Sequence, residues 1–110
     1  MSFSIKKTTI TLTRGDTLKA KIDLADQHGD PYVFNDGDSI RFAMKKDYSD
    51  ETTLILREVP TDTLILTLNP IDTKRLDFGE YVYDIQLTKA NGEVDTFIAK
   101  GILRLTEEVE

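Results

Sequence analysis

A chain of 110 residues with no cysteine and a formal net charge of −6 can bury one core without disulfide staples, and it has no thiolate for a metal site. The acidic balance argues against a phosphate-backbone partner, so no nucleic acid is expected. No apolar run approaches a membrane span and the opening MSFSIKKTTI lacks the long apolar segment of an export signal, so the sequence reads as one soluble domain over residues 1–110, made in the cytoplasm and with no membrane partner.

Taken in chain order, the hydrophobic pattern has period two almost throughout. TTITLTR alternates threonine with Ile10 and Leu12. Arg14, Gly15 and Asp16 follow, the tripeptide that integrins recognise. Between two strands this reads as a structural turn in which Gly15 supplies the unusual backbone angle and Asp16 bonds a nearby amide. TLKAKIDLAD puts Leu18, Ala20, Ile22 and Leu24 on one face. Beyond His28-Gly29, a hairpin return sets Leu24 opposite Tyr32 and Ile22 opposite Phe34. Asn35, Asp36 and Asp38 have calcium-like spacing. The distal glutamate that a calcium loop of the EF-hand kind needs would fall at Lys46, so an Asx-rich turn is the reading adopted.

SIRFAMKKD turns Ile40, Phe42 and Met44 inward. Asp47, Asp50 and Glu51 read as a solvated acidic tip. DTLILTLN gives Leu64, Leu66 and Leu68. NPIDTKRLD is the one helical candidate, with Asn69 as cap and Pro70 in the first position, and it reads as a short crossing turn near residues 70–76. EYVYDIQLT turns Tyr81, Tyr83, Ile85 and Leu87 to one side. At Asn91-Gly92, a three-residue loop closed by a left-handed glycine pairs Lys89 with Glu93. It sets Ile85 opposite Phe97, Tyr83 opposite Ala99 and Tyr81 opposite Gly101, so that core faces meet.

Strict alternation over several short segments marks an antiparallel β-sandwich of about seven strands. Tyr81 opens a strand just after a crossing turn, the position of a tyrosine corner in immunoglobulin-like sandwiches, whose phenol bonds back to the turn. The expected fold is therefore an immunoglobulin-like all-β sandwich without the disulfide and tryptophan of antibody domains.

The last strand, Val94 to Thr106, outruns its partner Gly79 to Thr88. This leaves residues beyond about Leu103 without a mate on that side, with a bulge or bend at Gly101. Ile98, Ile102, Arg104 and Val109 thus form a candidate docking edge. The other reading is that Thr8 to Thr13 pairs with this segment and closes the sheet, which leaves the outward Ile102 and Val109 as the candidate docking patch.

TRGDT, GDSIRF, FGEYVYDIQLT and NGEVDTFIAKGILRLTEEV together resemble phage and prophage structural domains, among them the N-terminal domains of baseplate upper proteins of phages infecting Gram-positive bacteria. The resemblance spans Thr9 to Val109. It implies a virion component of the tail or baseplate, located in the virion or in the host cytoplasm before assembly, whose partners are other phage structural proteins or itself. The single histidine, His28, has no serine or cysteine partner in the pattern, and no phosphate-binding loop is present, so no enzyme and no cofactor is expected. The alternative function is a carbohydrate or cell-surface binding module that uses the loops of the sandwich.

Overall fold

The computed structural model describes residues 9–24 and 28–107, side chains at 98–100 excepted. The elements run β1 (Thr9–Thr13), β2 (Leu18–Lys21), β3 (Ser39–Lys45), β4 (Ile55–Val59), β5 (Ile65–Leu68), α1 (Pro70–Lys74), β6 (Gly79–Thr88) and β7 (Val94–Thr106). One sheet has the order β1-β7-β6-β3-β4 and the other pairs β2 with β5. The protein is mostly β, and its two sheets, five and two strands, share one core, an arrangement consistent with an all-β sandwich.

The alternation sorts the side chains. Ile40, Phe42 and Met44 of β3 are fully buried, as are Leu66 and Leu68 of β5, and Tyr81, Tyr83, Ile85 and Leu87 of β6 line the same core. Each side chain of this size contributes about 1.5–3 kcal/mol on leaving water. Regular pairing of β2 stops at Lys21, but Ile22 and Leu24 stay buried. The Ile22 amide donates to the Leu64 carbonyl at 2.8 Å and the Tyr32 amide to the Leu24 carbonyl at 3.0 Å. The expected return through Tyr32 and Phe34 is not a regular strand.

Its place among the seven strands is taken by β4, which pairs with β3. Alternation hides this strand because Leu54, Ile55 and Leu56 run together and Arg57 shares the inward face with Ile55 and Val59. Arg57 crosses to Asp72 of α1, Nη2 to Oδ1 at 2.5 Å. The same Asp72 accepts the Asn69 amide through Oδ2 at 2.7 Å, which fixes the start of the helix behind Pro70. One carboxylate thus holds both the helix N-terminus and the edge strand. Between β4 and β5 the chain changes sheets in five residues. Leu64 does this with φ at 58°, a left-handed backbone that costs a side-chain-bearing residue about 1–2 kcal/mol. Its amide closes on the Pro60 carbonyl at 2.8 Å.

Two expectations are corrected here. The sheet is mixed rather than purely antiparallel, because β1 runs parallel to β7 from Thr9↔Ile102 to Thr13↔Thr106. The β6–β7 register also differs. The Lys89 amide meets the Glu93 carbonyl at 2.8 Å, and Gln86↔Thr96 follows as the bulged turn requires. Two shifts then occur, to Ile85↔Ile98 and to Tyr83↔Gly101, with Tyr81↔Leu103 beyond. Tyr83 therefore faces Gly101 rather than Ala99, and Tyr81 faces Leu103 rather than Gly101. A slip of two residues keeps every side chain on its face, so the core pattern survives. Gly101 is explained by packing. A Cβ there would lie 2.3 Å from Cζ of Tyr83, so only glycine fits beneath that ring.

Candidate docking surface

The Arg14-Gly15-Asp16 turn is tied into the body of the protein. The Asp16 amide donates to the Thr13 carbonyl at 3.0 Å, and Gly15 has φ at 86°, the positive value that a type II turn needs at its third position. The Gly15 amide donates to Oγ1 of Thr73, a fully buried residue of α1, at 2.9 Å. Arg14 is half-buried. Its Nη1 donates to the Leu76 carbonyl at 3.0 Å, and its guanidinium stacks 4.2 Å from the Phe78 ring centroid. An arginine held this way is not extended for an integrin. Next to it, the Tyr81 hydroxyl donates to the Asp77 carbonyl at 2.8 Å, and Lys46 Nζ sits 4.6 Å above the ring. Burial is the main cause that raises the pKa of Tyr81. At this end of the molecule the turn, the helix and the start of β6 form one interlocked block.

The opposite end is latched differently. Asp38 Oδ2 accepts the Asn35 amide at 2.9 Å, and its Oδ1 accepts the Ala90 amide at 3.3 Å. Gly37 lets the two turns meet, since a Cβ at that position would fall 2.7 Å from Cβ of Ala90. Both Asp38 oxygens thus serve backbone amides, and among the described residues no three acidic, histidine or cysteine side chains converge as a metal site. Tyr32 packs edge-on against Phe34 and Phe97, with centroids 5.0 and 5.7 Å away. Lys89 pairs with Asp95 at 3.4 Å, and the hydrogen bond to that carboxylate is the main cause that raises the lysine pKa. His28 lies on an exposed turn.

From Ile102 to Leu105 the expected docking edge is not an edge. β7 has β6 on one side as far as Leu105 and β1 on the other from Ile102 to Thr106. The two-residue slip draws β6 along β7, so Arg104 and Leu105 have mates on both sides. Ile102 is half-buried beside Val82, and Arg104 is held by Glu80 through Nη2 at 2.6 Å and Nε at 3.1 Å. Ile98 lies within β7 opposite Ile85, and its side chain falls outside the described residues, as does Val109 altogether. Among the described residues β1 and β4 are the strands of this sheet with a neighbour on one side only. Sequence reasoning passed over β4, which carries Leu56 outward at 64 % exposure. Around it the outer face is polar and paired, with Arg41 bonded to Asp84 at 3.0 Å and to Gln86 at 2.5 Å. A hollow of about 340 Å³ between β4 and the small sheet is lined by Lys19, Arg57, Glu58, Pro60, Thr63, Ile65 and Thr67.

Among the described residues no helix is long and apolar enough to cross a membrane. No protein-family model and no curated protein matches the chain.

Proposed function

We propose that the chain is a non-enzymatic phage or prophage structural protein that docks onto other virion proteins or onto copies of itself. The observation that carries this reading is a frame locked at both ends around two sheet edges, β1 and β4, each with one neighbour among the described residues. Edge pairing and patch burial against such strands need rigidity rather than reactive groups. The motif resemblance to baseplate and tail domains points to the same class, with the virion, or the host cytoplasm before assembly, as its location.

The fold we infer is immunoglobulin-like. In that scheme β3, β6 and β7 correspond to the sheet with strand F at its centre, β4 adds beside C, and β2–β5 supply the facing pair. Tyr81 at the start of β6, bonded to the carbonyl four residues back, takes the tyrosine-corner position. β1 departs from the constant-domain arrangement by pairing with β7 instead of β2. Protein docking is preferred to a carbohydrate module because Tyr32 packs edge-on against Phe34 and Phe97, and Tyr81 and Tyr83 are buried, rather than offering ring faces for sugar stacking.

Mass spectrometry of particles purified after prophage induction tests the assignment. The chain is expected in the particle at a stoichiometry comparable to other tail components. Its confinement to the particle-free lysate would overturn the reading. Light scattering of the native chain and of Leu56→Arg then separates self-association through β4 from docking to a different protein.

A further inference from the structure

We propose that Asn91 is a deamidation site whose reaction the folded β6–β7 turn restrains. The chemistry is set by the neighbour. Gly92 has no side chain to hinder its backbone nitrogen. After losing its proton to solvent base, that nitrogen attacks Cγ of Asn91. A bond forms between the Gly92 nitrogen and Cγ, the Cγ–Nδ2 bond breaks, and Nδ2 departs as ammonia with a proton from water. Water then opens the five-membered succinimide at either carbonyl and leaves aspartate or isoaspartate at position 91. Asn35 and Asn69 are built-in comparators, because Asp36 hinders attack at the first and Pro70 offers no N–H at the second.

The turn is exposed, so water reaches it freely, and the restraint comes from hydrogen bonds. The Gly92 amide donates to the Lys89 carbonyl at 2.8 Å, which holds the proton that must leave. Glu93 grips the carboxamide at both atoms: its amide donates to Asn91 Oδ1 at 3.0 Å, and its Oε1 accepts from Nδ2 at 2.7 Å. The Ala90 amide on Asp38 keeps the whole turn against the neighbouring loop. The reaction therefore runs mainly while the turn is open, at the unfolded-chain rate multiplied by the open fraction. Conversion has a structural consequence. Aspartate replaces a donor facing Glu93 with a second acceptor. Isoaspartate lengthens the backbone by one methylene in the loop that sets where β6 meets β7.

The test is peptide mass mapping of the full-length chain during incubation in mildly alkaline buffer, with and without denaturing urea, and with an isoaspartyl methyltransferase assay of the product. Conversion at Asn91 is expected about tenfold or more slower in the native chain than in urea. In urea Asn91 is expected to react ahead of Asn35 and Asn69. Asp38→Ala, shown to be folded by circular dichroism, is expected to react faster than the native chain because the turn loses its latch. Equal rates in native and urea samples would overturn the proposal, as would faster conversion at Asn35. A folded Asp38→Ala chain that reacts at the native rate would remove the latch from it.

Discussion

Replacing Tyr81 with phenylalanine keeps the ring and deletes one oxygen. Tyr81 is 3 % exposed and its ring lies under Lys46, so core packing and the cation contact remain. What goes is the 2.8 Å hydrogen bond to the Asp77 carbonyl. A hydrogen bond of this kind contributes about 1 kcal/mol net, and about 2 kcal/mol where the abandoned acceptor stays dry. Asp77 is itself exposed and water can reach its carbonyl, which places the expected loss near 1 kcal/mol, or about 4 °C in Tm for a chain of this size. Urea denaturation with an unchanged m-value is the assay, and Val82→Thr is the control. Val82 points to the outer face and is expected to cost less than about 0.5 kcal/mol. Equal midpoint shifts for the two variants would refute the argument that the phenol pins the crossing turn to β6.

Gly101→Ala drives a methyl group into the ring of Tyr83 and is expected to cost roughly 3 kcal/mol. Adding Tyr83→Leu should return part of that loss in a double-mutant cycle, and additive losses would contradict the packing account. Thr73→Val leaves the Gly15 amide without its acceptor and is expected to cost about 1–2 kcal/mol and to speed hydrogen exchange at Gly15, whereas Thr73→Ser retains the bond. Burial pushes the Tyr83 phenol up to about 12 from an ordinary 10.0. Because the folded value is the higher one, its contribution to stability is complete below about pH 10 and is lost as pH rises toward 12. Phenolate absorbance against pH should show a late ionisation in the native chain that Tyr83→Phe removes, and only ordinary tyrosines in urea.

Local alternation was enough to place the inward residues of β3, β5 and β6, because burial on one face of a strand writes a period of two into the sequence. It also set the loop at Asn91-Gly92 and the pairing next to it, since a turn fixes register over the few residues it can reach. The Asn69 to Lys74 crossing and the position of Tyr81 were legible for the same reason: a cap, a proline and a glycine act within one turn. Tertiary structure decided the rest. β4 broke the pattern because Arg57 faces inward to meet Asp72, a partner fifteen residues away that no window over β4 contains. The two-residue slip between β6 and β7 answers to the volume of Tyr83 over Gly101, and volume does not enter a count of alternating residues. β1 lies beside β7 because Thr9–Thr13 and Ile102–Thr106 meet in space. That parallel pairing, the Thr73 bond to Gly15 and the Asp38 bond to Ala90 each join segments 52 or more residues apart. Long-range contacts of this kind gave the Ile102 to Leu105 part of the expected docking edge a neighbour on each side. Among the described residues they leave β1 and β4 as the outermost strands of the five-stranded sheet, because only the finished sheet determines which strands lie outermost.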